Sequence, residues 1–250
     1  MKILISGALG RMGRSVFQAS AAYDRITVAC GVDINAAASD LPFPVYPDFA
    51  SVREHVDVII DFSSASNLDN LLAYAESKAV PAVLCTTGYS AEQTEKIKEA
   101  SSRIALFKSA NMSVGVNLLI DLCRKAAKSL PHFDVEIIEK HHNQKADAPS
   151  GTALMLADAI REIRNDAFYV YGREGKPGKR NPNEIGIHAV RGGNIVGEHD
   201  VLFCGPNETL TLSHAAASRG VFADGAVNAA LFLQGKPAGL YNMEQLIKDL

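Results

Sequence analysis

The sequence predicts an α/β fold: a doubly wound parallel sheet, followed by a smaller α+β domain that carries an open sheet. Three observations lead there. In the N-terminal part, short and wholly apolar runs alternate with helical segments, as parallel strands buried on both faces require. A glycine-spaced loop, Gly7-Ala8-Leu9-Gly10-Arg11-Met12-Gly13, joins the first such strand to the first helix. Beyond Asn111 the alternation gives way to one long helix and, later, three strand-like runs close together, which marks a second domain.

Taken in order, Ile3 to Ser6 is a buried strand, and the glycine loop leads into a helical segment from Arg14 to Ala22. The loop is a GxxGxxG variant of the dinucleotide fingerprint: its glycines permit a tight turn and close approach of a pyrophosphate to a helix N-terminus. A second strand, Ile26 to Val32, ends at Asp33, which lies 33 − 13 = 20 residues past the last glycine. An acid there accepts both hydroxyls of an adenosine ribose. Because Ile34 follows and no arginine stands alongside, NADH is favoured; Arg11, a cation within the loop, keeps NADPH possible.

The strand-helix alternation continues with Asp57 to Phe62, Asn67 to Ser77, Ala82 to Thr86, Glu92 to Ser101 and Ile104 to Phe107. Three stretches fall at strand carboxyl ends, where ligands of such sheets collect: Ser63-Ser64, Cys85-Thr86-Thr87-Gly88, and Ser109-Ala110-Asn111-Met112. Val114 to Ser129 is a helix, with Val114, Leu118, Leu122 and Ala126 as its apolar stripe, and bridges into the second domain. There a strand, Val135 to Ile138, runs into a polar loop, and a helix follows from Thr152 to about Arg164. Gly172 to Pro182 is a basic, glycine-rich loop, either solvated or a flap near an anionic ligand. Ile185 to Arg191, His199 to Cys204 and Thr209 to Ala215 are strands. In the last, Leu210 and Leu212 alternate with Thr209, Thr211 and Ser213, leaving an open face for self-association. Ala223 to Gln234 is a helix stopped by Gly235-Lys236-Pro237, and Met243 to Leu250 is a short amphipathic tail.

Composition narrows the function. A net charge of −3 over 250 residues gives no basic footprint for nucleic acid. No run approaches the ~18 apolar residues of a membrane span, and the amino terminus is too short for a signal h-region, so a cytoplasmic protein is expected. Cys30, Cys85, Cys123 and Cys204 lie far apart with no CxxC pair, which predicts reduced thiols and no metal.

The chemistry concentrates in Glu136 to Ala153, EIIEKHHNQKADAPSGTA. His141 and His142 are adjacent, Lys145 follows four residues after the first, and Gly151-Thr152 opens a helix. The first amides of a helix lack intrahelical partners and carry the positive end of its dipole, so a carboxylate binds there. An imidazole beside it can move a proton near neutral pH.

These blocks, with GALGRMGR, CTTGY, SANMSVGVN, AVRGGNIVGEHDVLF and SHAAASRGVFADGAV, strongly resemble the dihydrodipicolinate reductase (4-hydroxy-tetrahydrodipicolinate reductase) family of bacterial lysine biosynthesis over essentially the whole chain. The HHNQKADAPSGT block is the specific one. The resemblance implies a Rossmann-like coenzyme domain (1–112 and 220–250), a substrate-binding and oligomerisation domain with an open mixed sheet (113–219), and a homotetramer. It implies NAD(P)H-dependent reduction of a small cyclic dicarboxylate, 4-hydroxy-tetrahydrodipicolinate, to tetrahydrodipicolinate, by hydride transfer and protonation of the resulting enamine. By position, His141 matches a proton donor or acceptor and Lys145 a proton donor. His142, Gly151 and Thr152 match substrate-binding positions. Gly7, Ala8, Leu9, Gly10, Arg11, Met12, Asp33, Cys85, Thr86, Thr87, Ser109, Ala110, Asn111 and Met112 match coenzyme-binding ones. Cys85 stands where the family usually has glycine, and Met112 where an aromatic residue is common. Two other readings fit parts of the sequence: a two-domain amino-acid or homoserine dehydrogenase, against which the HHxxK loop speaks, and a coenzyme sensor without turnover, against which His141 and Lys145 together speak.

Overall fold

The computed structural model describes residues 1–249; Leu250, the last residue of the expected tail, lies outside them. Two compact units result: Met1–Ser113 with the segment from Gly220 onward, and Val114–Arg219. The first unit begins with β1 (Lys2–Ser6), α1 (Arg11–Ser20), β2 (Thr27–Val32), β3 (Val45–Tyr46), β4 (Val58–Asp61), α2 (Leu68–Lys78), β5 (Ala82–Leu84), α3 (Ala91–Ala100) and β6 (Ala105–Lys108). The second holds α4 (Val114–Ser129), β7 (Asp134–His141), α5 (Gly151–Arg161), β8 (Phe168–Tyr171), β9 (Glu184–Arg191), β10 (Glu198–Cys204) and β11 (Thr209–Ala215). The chain then completes the first unit with α6 (Gly220–Leu233), β12 (Gly239–Tyr241) and α7 (Met243–Asp249).

The seven strands of the first unit are all parallel, in the order β12-β6-β5-β4-β1-β2-β3. The chain therefore runs outward from β1 to β3, then returns to β4 on the other side of β1. That reversal opens a crevice at the carboxyl ends of β1 and β4, where the glycine loop sits. Ile3, Leu4, Ile5, Ile59 and Ile60 are fully buried because helices cover both faces. Leu4, Ile59, Leu84 and Leu106 pack with Leu68, Leu71 and Ile97 of α2 and α3. On the opposite face α6 lies across β4, β5 and β6 and against α1. Its small residues, Ala223, Ala226, Ala229 and Ala230, are fully buried and permit that close approach, while its Phe232 meets Phe107 of β6 edge-on. Each large side chain buried this way stabilises the fold by about 1.5–3 kcal/mol.

In the second unit the order is β11-β10-β7-β9-β8, with β10 antiparallel to β7 and β11, and β9 parallel to β7 and β8. Period-two alternation sends Val135, Ile137, Ile185, Ile187, Val201 and Phe203 to one face, covered by α4 and α5. The opposite face carries half-buried Glu136, Ile138, Lys140, Asp200 and Leu202.

Several boundaries differ from expectation. Helix α1 begins at Arg11, so Gly13 sits inside it; α5 begins at Gly151 and ends at Arg161. Strand β7 continues through His141, which therefore stands on a strand rather than a loop. The apolar stripe expected on α4 holds at Ala126 but not at Leu118 and Leu122, which are 44% and 39% exposed: the buried residues are Val116, Leu119, Ile120, Cys123, Ala126 and Ala127. A strict spacing of four drifts by about 40° per step around a helix of ~100° per residue, so such a stripe slides off any one face. The basic loop is not simply solvated. Its Arg180 donates to Glu136 (3.0 Å), Asp134 (2.8 Å) and the carbonyls of Val135 and Glu184, and Arg173 pairs with Glu136 and Glu184. Strands β3, β8 and β12, unanticipated, are all edge strands of two to four residues.

Candidate functional site

In the first unit the expected coenzyme residues gather at the switch of strand order. Gly7 adopts φ +77°, and a Cβ there would lie 2.7 Å from the Phe62 carbonyl oxygen. Its N–H donates to Val32 O (2.8 Å), which pins the turn to the end of β2, and Gly10 N–H donates back to Gly7 O (3.1 Å). Gly13 is required by contact rather than conformation, since a Cβ would stand 2.2 Å from Gly7 O. Helix α1 starts behind Gly10 with no side-chain cap and no acid in its first turn, so its amides face outward for an anion. Ala8 is buried, Leu9 and Met12 are half-buried, and Arg11 is exposed.

Asp33 is held over this loop. Its Oδ2 accepts from Leu9 N–H and its Oδ1 from Asn35 N–H, both at 3.0 Å. Each carboxylate oxygen keeps a second acceptor position for a ribose hydroxyl. The adjoining cleft, about 1110 Å³, is walled by Gly7, Gly10, Asp33, Asn35, Phe62 and Tyr74, among others. A cradle that any Cβ would fill, an oriented acid and a cleft of this size fit a dinucleotide.

At the neighbouring strand ends the structure reveals a residue the sequence reading missed, Asp61. It is 1% exposed and accepts from Ser63 Oγ (2.6 Å) and Thr86 Oγ1 (2.7 Å), while its carbonyl accepts from Cys85 N–H (2.9 Å). Thr86 is thus oriented by a buried carboxylate, and Thr87 beside it is exposed. Burial, then Asp61, pushes the Cys85 thiol well above its usual range, which makes it an inert wall rather than a nucleophile. Ser109 and Asn111 are half-buried, Ala110 is exposed and Met112 is buried. Gly225 of α6 gives the Met112 carbonyl its room, because a Cβ there would lie 1.7 Å from that oxygen.

In the second unit His141, His142, Lys145, Gly151 and Thr152 lie along the segment from the end of β7 to the start of α5. Two neighbours not anticipated organise them, Glu139 and Arg191. Glu139 shares a strand face with Val135, Ile137 and His141, and its side chain is fully buried. Its Oε2 meets His141 Nδ1 at 2.7 Å, and Arg191 donates to both of its oxygens (2.7 and 2.8 Å). Burial raises the Glu139 carboxyl, but hydrogen bonds from Arg191, His141 and the Ser150 amide outweigh it and hold the group below its ordinary value. Arg191 also donates to Asp147 O, and the turn after β9 grips the loop from the other side through Asn143 N–H to Gly193 O (3.2 Å). Lys145 pairs with Asp147 (2.8 Å) and has a side chain only 21% exposed.

Helix α5 opens on Ser150, whose Oγ accepts from Ala153 N–H (3.1 Å) and lies 2.9 Å from His199 Nε2. Gly151 faces open space. His199, 4% exposed, is pushed down to about 4 by burial first and then by His141, with His214 and Lys145 adding and Glu139 opposing. It is therefore neutral, shares a hydrogen bond at Nε2 with the Ser150 hydroxyl, and stacks edge-on to His141 with ring centres 5.2 Å apart. The signal for Glu139 was present in the sequence: an acid occupies the apolar phase of Val135, Ile137, Glu139, His141. Among the described residues no helix is long and apolar enough to cross a membrane.

Two family models, described as "Dihydrodipicolinate reductase, N-terminus" and "Dihydrodipicolinate reductase, C-terminus", match residues 1–112 and 115–247. A 4-hydroxy-tetrahydrodipicolinate reductase of Caldanaerobacter subterraneus subsp. tengcongensis is 52% identical over 249 residues, 99% of this chain and 98% of its own length. One from Clostridium tetani is 48% identical over 251 residues, 100% of this chain and 98% of its own. A solved dipicolinate-bound dihydrodipicolinate reductase from Paenisporosarcina sp. TG-14 shares the fold, with a TM-score of 0.81 over 97% of each chain at 24% identity. Matched along both of its units and nearly end to end by relatives, the chain belongs to the dihydrodipicolinate reductase family.

Proposed function

We propose that this protein is an NAD(P)H-dependent oxidoreductase that reduces 4-hydroxy-tetrahydrodipicolinate to tetrahydrodipicolinate, on the route to diaminopimelate and lysine. The observation that carries the reading is the single segment from β7 to α5: an imidazole held by a buried carboxylate, a lysine ammonium and a helix start follow one another within 139–152. Nothing in a coenzyme sensor needs that set.

The chain's residues divide the work by their chemistry. The outward amides of α1 and the Gly7 turn hold a pyrophosphate, and Asp33 accepts the ribose hydroxyls of the adenosine half. Thr86, Thr87 and the 109–112 segment line the nicotinamide side. A bound reduced nicotinamide supplies hydride. The first amides of α5 at Gly151 and Thr152, with His142, bind the substrate's carboxylates. The 4-hydroxyl leaves as water to give the conjugated ring; hydride addition to that ring leaves an enamine, which must take a proton at the neighbouring carbon, and Lys145 and His141 supply it. The lysine charge also draws in a dianionic substrate.

NADH is the favoured coenzyme in this reading. Asp33 is already oriented, by Leu9 N–H of the loop and by Asn35 N–H, and a 2′-phosphate would meet its charge. Among the described residues walling the cleft, Lys78 is the one cation, against Asp33 and Asp48. Exposed Arg11 leaves NADPH usable. The working form is a cytoplasmic homotetramer joined through the sheet face of Ile138, Lys140, Asp200 and Leu202, which α4 and α5 leave uncovered. Light scattering on the purified protein tests that assembly.

Turnover is tested with substrate generated in situ from pyruvate and aspartate semialdehyde by the preceding synthase, following loss of NADH and NADPH in parallel. Rapid, synthase-dependent oxidation with the higher kcat/KM for NADH is expected. Folded, coenzyme-bound protein that oxidises neither would refute the reading.

A further inference from the structure

Glu139 is buried completely yet accepts from three partners through four hydrogen bonds: His141 Nδ1 (2.7 Å) and Arg191 (2.7 Å) at Oε2, Arg191 (2.8 Å) and the Ser150 amide (2.9 Å) at Oε1. Neutralising Arg191 would need only two of these. We propose that Glu139 is the positioning residue of His141, fixing its imidazole as the Nδ1–H tautomer so that Nε2 is the nitrogen presented for proton exchange; this rests on the reading of His141 as a proton-handling group.

The geometry supports each part. An ionised carboxylate can only accept, so the nitrogen bonded to it must carry hydrogen. Arg191, bound across both oxygens, keeps the carboxylate ionised. Nε2 then lies on the ring's other edge, beside Gly197, where a Cβ would come within 3.0 Å of it. The glycine keeps that edge open. The same carboxylate also holds Ser150, the N-cap of α5, so one rigid group sets the imidazole and the helix start at a fixed offset. His199, tied to Ser150 Oγ, braces the ring face from the side.

The test needs no substrate for its first part. Long-range ¹H–¹⁵N spectra of the imidazoles, with His141 assigned by comparison with His141→Gln, read the tautomer of the neutral ring directly. The wild type is expected as Nδ1–H; an Nε2–H ring would overturn the proposal whatever the variants do. In Glu139→Gln the side-chain amide donates to Nδ1, so the tautomer should switch to Nε2–H, and kcat should fall about 10- to 100-fold with NADH affinity unchanged. A role confined to neutralising Arg191 predicts lower stability with the tautomer retained. Either change without the other would overturn the proposal, and if the variant does not fold, the wild-type spectrum decides. Failure of the functional reading would register separately, as absence of wild-type turnover with the tautomer intact.

Discussion

The neutral His199 makes the second unit sensitive to acid in a window that can be worked out. Its folded value is depressed from 6.5 to about 4, by burial first. The unfolded chain therefore binds the extra proton more readily than the folded one, and stability from the neutral ring is complete above 6.5 and lost as the pH falls toward 4. At ~1.4 kcal/mol per unit, moving from about pH 7 to about pH 4.5 should remove roughly 2 kcal/mol, a sizeable share of a typical ~5–15 kcal/mol. His214, opposite His199 in the β10–β11 register, is also depressed by burial and acts in the same direction. Glu139 does not interfere, because its carboxyl is held below its ordinary 4.5 and its contribution fails only at lower pH. The control is His199→Asn, whose amide can donate to or accept from Ser150 Oγ and which removes the titrating ring. Urea unfolding of both proteins at several pH values, followed by circular dichroism, should give a steeper acid loss in the wild type by about that amount. Equal losses over the whole window would refute the argument that His199 is buried neutral.

Three further outcomes are expected. Asp33→Ala removes the acceptor for Leu9 N–H and, on the proposed reading, for the ribose hydroxyls, so NADH affinity by fluorescence titration should weaken about 10- to 100-fold, for a charged hydrogen bond of ~1.5–3 kcal/mol, while kcat at saturation changes little. Lys145→Ala should do the reverse in the coupled assay, lowering kcat about 100-fold or more with NADH affinity retained; undiminished kcat would remove lysine from the mechanism. Gly197→Ala places a methyl 3.0 Å from His141 Nε2 and should lower kcat about 10- to 100-fold without altering the ring's tautomer.

The architecture was legible wherever burial is two-sided. Strands β1, β4, β5 and β6 are continuous apolar runs because helices cover both faces, and such runs stand out in a sequence. Those that escaped notice are edges. Val45–Tyr46 lies among Pro42, Pro44 and Pro47, which an edge strand tolerates and a central one does not. Gly239–Tyr241 and Phe168–Tyr171 pair on one side only, so their residues need not be apolar throughout. The misplaced stripe on α4 has a different origin: Leu118 and Leu122 are as apolar as Leu119 and Ile120, and only the phase of packing against α5, β10 and β11 separates them.

The candidate site was legible where residue types are distinctive, and not where they act through another residue. Adjacent histidines, a spaced lysine and PSGT announce themselves. Asp61 and Glu139 do not, although they occupy equivalent places: each lies at or near the carboxyl end of a strand, each is essentially fully buried, and each is surrounded by hydrogen-bond donors. A buried carboxylate with fewer partners would cost several kcal/mol and would protonate instead. Here the donors offset that cost, and they include groups of the proposed site and its neighbours: Thr86 and Ser63 in one unit, His141 and the Ser150 amide in the other. A neutral residue of similar size at either place could accept fewer of these bonds and would leave at least one donor buried without a partner. The acid in the apolar phase of a strand is thus the mark by which such positioning groups can be found from sequence, and in β7 it stands two residues before the imidazole it holds.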